Sequence, residues 1–135
     1  GRAAVVSYWH YRHDIAGESP SLADVIEGRV WGSDWSAHVQ SWVLSQRPNT
    51  LVLRYESVVA DPRGALEQIA AFAQLPPPTS ARIRFDDLHE IEPRFFRAGS
   101  NDANFAELQG EDLACFSRRH GDTMRAVGYW HRSAE

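Results

Sequence analysis

Apolar residues recur at helical spacing over most of the chain and crowd together in one place. In "GRAAVVSYWHYRHDI", Val5, Val6, Trp9 and His13 follow the period of one helix face. Ser21 stands as an N-cap ahead of "LADVIEGR". Trp35, Val39, Trp42 and Val43 give "WSAHVQSWVLSQ" an apolar face, with Ser33 or Ser36 as its cap. "TLVLRY" differs, because it is a continuous β-rich run of the kind found in buried parallel strands. Asp61 followed by Pro62 opens another helix, with Leu66, Ile69, Ala70 and Phe72 expected on its buried face and "LPPP" as its stop. Thr79 is expected to cap a helix through "SARIRFDDLHEI". "EPRFFRAGSNDANF" is irregular, with glycine and asparagine for turns. The last helix runs through "EDLACFSRRHGDTMRAVGYW", with a bend expected near Gly121.

This pattern contains one strand among five or six helices, which is physically incomplete. A lone strand cannot satisfy its own backbone hydrogen bonds and is not a sheet. Its partners are therefore expected from residues upstream or from another chain, and a self-paired strand in a dimer is one solution.

Composition narrows the function classes. The chain has 135 residues, a length that fits one domain with a real core. Its formal net charge is −4, which argues against a general binder of nucleic acid or membrane surfaces. A local phosphate site built from a few arginines is still compatible with that charge. The single Cys115 excludes an internal disulfide and a multi-cysteine metal site. There is no apolar run of membrane-spanning length and no basic-then-apolar signal segment, so a cytoplasmic setting is the expectation.

Four groups of residues have chemistry to offer. Ser7, with Tyr8 and Trp9, reads either as a helix serine among core aromatics or as a hydroxyl for a phosphate near a helix start. Tyr55 and Glu56 end the expected strand, and strand ends are where open α/β sheets bind ligands; a tyrosine there also serves to close a core. In "RFFRAG", Arg97 is a fork donor for phosphate oxygens, and Gly99 permits close backbone approach. The same arginine suits a surface ion pair equally well. The six histidines lack the spacing of a zinc-protease helix and read as surface or satisfied core residues. Nucleophile-elbow and dinucleotide glycine motifs are both lacking.

Taken together and in order, these segments resemble the PAPS-dependent sulfotransferases. "VLRYESVVADPRGALEQIAAFAQLP" is similar to their L-x-Y-E-D-L-x-x-D-P, helix, F-L-G-L-P segment. "GRAAVVSYWHYRHD" resembles their 3'-phosphate segment R-D-G-R-D-x-x-x-S-Y-x-H. "WGSDWSAHVQSW" resembles G-S-W-x-x-H-V-x-x-W with Asp34 as one extra residue. "FFRAG" resembles F-x-R-K-G, and "MRAVGYW" the closing M-x-x-L-G-Y of bacterial members.

The resemblance implies an α/β chain, the C-terminal part of a P-loop-kinase-like parallel-sheet sulfotransferase fold. In that reading residues 1–135 form a partial domain, mostly helical with one or two strands. It implies 3'-phosphoadenylyl sulfate as sulfuryl donor, adenosine 3',5'-bisphosphate as product, and a small-molecule acceptor with a hydroxyl or amine. By motif, Ser7 binds the 3'-phosphate, Tyr55 and Phe85 contact the adenine, and Arg97, Ala98 and Gly99 cover the 3'-phosphate. Trp31 falls where an aromatic lines the acceptor pocket.

The departures from the pattern are as specific as the matches. The family's phosphosulfate loop with its lysine, and its catalytic base, lie upstream of the matched segments. All 14 basic residues here are arginine. Ala98 replaces the lysine of Arg-Lys-Gly, and "SNDANF" replaces the G-D-W that follows it. Sulfuryl transfer depends on such preorganised charge, so the chain alone is expected to be inactive and to carry no catalytic residue. It reads as a nucleotide half-site to be completed by an N-terminal half or by self-association. The alternative is a non-catalytic remnant acting as a helical binding or oligomerisation module.

Overall fold

The computed structural model describes residues 1–30, 32–76, 85–96 and 106–129. They form two compact units, Gly1–Ser45 with Arg84–Glu135, and Gln46–Ile83. The described residues are mostly helical and contain no strand.

In the larger unit α1 (Arg2–His10) continues as a π-helical turn over Tyr11–Ile15, closed by the Ala16 N–H to the Tyr11 carbonyl at 3.0 Å. Helix α2 is Leu22–Ile26, and α3 is Trp35–Val39, extended by a π turn over Gln40–Leu44. Ser21 caps α2 as the sequence predicts. It does so reciprocally: its hydroxyl oxygen accepts from the Asp24 amide at 3.1 Å, and its own amide donates to the Asp24 carboxylate at 3.0 Å. Each satisfies an amide that the helix cannot. The Ser21 hydrogen bond and then Arg29 hold the Asp24 carboxyl at a pKa of about 2.

Helix α2 ends on Gly28, whose φ is +75°. The Gly28 amide reaches the Val25 carbonyl, and the Arg29 amide reaches that of Asp24 at 2.9 Å. This pair of bonds terminates a helix through a left-handed residue. A Cβ at Gly28 would lie 2.6 Å from the Ser33 carbonyl carbon, so the turn toward α3 passes directly over the glycine.

In the smaller unit α4 is Tyr55–Ala60 and α5 is Pro62–Ala73. Asp61 caps α5 by accepting from the Gly64 amide at 2.9 Å, with Pro62 in the first turn. Two expectations fail here. The run at 51–54 has no ladder partner among the described residues, and Tyr55 opens a helix and does not close a strand. A strand is defined by its neighbours, and residues 51–54 are given none. On α5 the buried residues are Ala65 and Ala70, while Leu66, Ile69 and Phe72 are 48%, 43% and 47% exposed. Only Ala70 of the predicted face is buried.

Helix α6 is Phe85–Ile91, and α7 is Gly110–Ala126. The latter runs through Gly121 without interruption. The predicted cap at Thr79 lies outside the described residues. Helix α2 packs on both α1 and α7, and α3 packs on α7. The core between them is Val5, Val6, Val25, Ile26, Phe116 and Met124, with Leu108.

Replacing Gly28 with alanine combines two penalties, a left-handed backbone worth roughly 1–2 kcal/mol and a collision with backbone. Gly32 has φ of +68° and open space around it. Gly32→Ala is therefore expected to lose only the first term. Urea unfolding should show a clearly lower midpoint for Gly28→Ala than for Gly32→Ala.

Candidate functional site

The site-bearing part of the larger unit is organised around a buried imidazole. His120 of α7 is fully buried. Its Nε2 lies 2.9 Å from the Ile26 carbonyl, and its Nδ1 lies 2.7 Å from the Ser36 hydroxyl. A carbonyl only accepts, so Nε2 carries the proton, and neutral Nδ1 accepts from the Ser36 O–H. Burial pushes the His120 pKa below its ordinary value, outweighing the raising effect of the Ile26 bond and of Asp34. This is a satisfied core histidine, as the sequence reading expects of the group. The rings of Trp35 and Phe116 flank it, with centroids 5.7 and 4.9 Å away.

The neighbouring residue on α7 makes a second tie. Arg119 donates from Nε to Asp34 Oδ2 at 2.7 Å. Asp34 Oδ1 accepts from the Ala37 amide at 2.8 Å. Asp34 is thus the cap of α3, a role the sequence reading assigns to Ser33 or Ser36. Ser36 lies inside the helix and faces His120. Burial opposes ionisation of Asp34, but the Ala37 amide and Arg119 overcome it, leaving the carboxyl below its usual value.

These ties hold open a cleft of about 380 Å³ bounded by α1, the α2–α3 turn, and α3 with its π extension. Ligand pockets commonly run from roughly 300 to 1,000 Å³. Val5 and Val25 contribute apolar lining, Tyr8, Trp35 and Trp42 contribute rings, and Asp34 a carboxylate. His38 also faces the cleft. Sequence reasoning sees Trp35 and Trp42 as one helix face but has no signal for the cleft, because α1 and α3 meet only in the fold.

Ser7 lies in the second turn of α1 and is exposed. The start of α1 is itself packed, since a Cβ on Gly1 would lie about 3 Å from Met124, Phe116 and Trp35. Tyr55 is 52% exposed at the first position of α4, in the smaller unit. Phe85 opens α6. Trp31, Arg97, Ala98 and Gly99 lie outside the described residues. Among the described residues no histidine, cysteine and carboxylate group could hold a metal, and no helix is long and apolar enough to cross a membrane.

The family model described as "Sulfotransferase domain" matches residues 1–114. The chain belongs to the sulfotransferase family, and that membership implies the P-loop-like sulfotransferase fold. No curated protein and no solved structure matches it. The match spans Ser7, the cleft, Tyr55, Phe85 and the Arg97–Gly99 segment, and runs into the first turn of α7.

The His120 arrangement gives a pH dependence of defined sign. Its folded pKa is depressed from 6.5, so the unfolded chain binds the extra proton first as pH falls. Stability contributed by neutral His120 is complete above about pH 6.5. It is lost as pH falls from there toward the folded value. Thermal melts between pH 8 and 5 should show this acid-side loss, and subtracting the curve of His120→Gln should isolate it. An unchanged slope in the variant would assign the loss to other groups.

Proposed function

We propose that this chain carries the adenine and 3'-phosphate half of a sulfotransferase donor site. The donor is 3'-phosphoadenylyl sulfate, and the sulfuryl group goes to a hydroxyl or amine of a small-molecule acceptor. The observation that carries this reading is the family match over 1–114. It joins the ordered motifs around Ser7, Tyr55, Phe85 and Arg97.

The residue types fit a bisphosphorylated nucleotide. Ser7 and Tyr55 are exposed side chains, each with a hydroxyl that donates or accepts. Arg97 supplies a planar fork for phosphate oxygens, and Gly99 leaves room for backbone amides to approach. Phe85 supplies a flat apolar partner for the adenine ring. When bound, the donor supplies a sulfuryl group activated by its anhydride link to phosphate. The acceptor attacks sulfur in line, and the sulfur–oxygen bond to the phosphate breaks. The role of this chain's residues is to fix the nucleotide so that attack is geometrically accessible. Deprotonation of the acceptor and charge on the phosphosulfate come from groups other than these. Binding without turnover is therefore the activity expected of the chain by itself.

Calorimetric titration with adenosine 3',5'-bisphosphate tests this reading, with adenosine 5'-monophosphate as control. The bisphosphate should bind more tightly than the monophosphate. Arg97→Ala should weaken it by about 10- to 100-fold, the range for charge-assisted hydrogen bonds. Ser7→Ala should weaken it less and leave the monophosphate unaffected. Equal affinity for the two nucleotides, or none for either by folded protein, would remove the half-site reading.

A further inference from the structure

We infer that the cleft between α1 and α3 binds a small organic cation, an apolar or aromatic body carrying an ammonium group. Its chemistry is one-sided. Trp35 and Trp42 present rings to it, and ring faces are electronegative and attract ammonium groups; Tyr8 also lines it, with Arg12 already 5.7 Å from the centre of its ring. Asp34 adds a carboxylate to the same lining. All 14 basic residues of the chain are arginine, yet none of them is among the lining residues described. A cleft built for an anion, or for a phosphate, would be expected to use some of them.

Two arginines that contact lining residues are already engaged. Arg12 donates to the Tyr8 hydroxyl at 3.0 Å and is ion-paired with Glu18. Arg119 holds Asp34 Oδ2, while Oδ1 accepts only the Ala37 amide. Oδ1 thus keeps a second lone pair. The valines and Ala4 give the ligand's body an apolar surface. Trp35 is fixed against Phe116 and His120, so one wall is rigid before any ligand arrives. Trp42 is 48% exposed.

Binding to the cleft requires no nucleotide. That the bound cation is the sulfuryl acceptor rests on the sulfotransferase reading above; its ammonium, which has no lone pair, would anchor it, and a hydroxyl elsewhere on the same molecule would take the sulfuryl group.

Tryptophan fluorescence titrated with 2-phenylethylammonium, 2-phenylethanol and 3-phenylpropionate tests the inference on molecules of similar size and opposite charge. The ammonium is expected to bind about tenfold more tightly than the alcohol, with the carboxylate weakest. Trp42→Ala should reduce that preference, and Trp42→Phe should keep most of it. A variant that fails to fold leaves the three-ligand comparison on the native chain to decide. Equal binding of alcohol and ammonium would make the cleft merely apolar and overturn the inference, as would tightest binding of the carboxylate. Lack of binding by all three to folded protein, or a preference unchanged in Trp42→Ala, would overturn it too. None of these outcomes depends on adenosine 3',5'-bisphosphate binding, so the cleft and the nucleotide half-site stand or fall separately.

Discussion

The larger unit depends on one constraint, that an imidazole removed from water must be satisfied at both nitrogens. An unpaired polar group buried in a protein costs about 1–3 kcal/mol, and His120 is fully buried. Its two partners come from 84 and 94 residues away along the chain. Satisfying it therefore sets where α2 ends and where α3 begins, both relative to α7. The Ile26 carbonyl belongs to the last residue of α2, where carbonyls lack helical partners. The histidine thus takes up a group that the helix leaves unsatisfied. Asp34 and Arg119 repeat the tie one residue away on α7, and the same two ties frame the cleft. Packing and site geometry are here a single problem.

The smaller unit is built by different means. Its helices are ended by local devices, Asp61 with Pro62 at one end of α5 and the left-handed Gln74 at the other. The Leu75 amide reaching the Ala70 carbonyl at 2.8 Å completes that stop. Ala65 and Ala70 face inward, and Leu66, Ile69 and Phe72 face outward. Val52, Val59 and Leu75 are also exposed. Leu51, Val52 and Leu53 are apolar, and 51–54 has no ladder among the described residues.

What could be read from the sequence follows the range of the interaction. The Ser21–Asp24 box and the Asp61–Pro62 start lie within four residues, so the local pattern was sufficient. The mostly apolar run at 50–55 specifies burial, while a ladder needs a second segment, and the described residues supply none. The α5 face was misread for a related reason: periodicity shows that Leu66, Ile69 and Phe72 share a side, not what covers it. His120 was legible as a satisfied histidine, but its partners were not, since nothing local links positions 26, 36 and 120. For the nucleotide half-site the reverse holds. Ser7, Tyr55, Phe85 and Arg97 are recognisable from ordered motifs, and that order is what the family match shares.

Asp34 shows how one inserted residue alters a motif without destroying it. The resemblance has glycine and serine followed directly by tryptophan, and here Asp34 intervenes. An extra residue at a helix start is tolerated when it can become the cap, because the helix then begins one position later with its first turn satisfied. Asp34 does this through the Ala37 amide, and its second oxygen recruits Arg119. Trp35 is thereby held at the first helical position, against Phe116 and His120. The insertion also places a carboxylate in the lining of a cleft otherwise made of valines, rings and small polar groups. A carboxylate held this firmly keeps its charge through the neutral range and cannot swing away. The residue that departs from the family pattern is therefore the one that brings a carboxylate, ion-paired with Arg119, into the cleft.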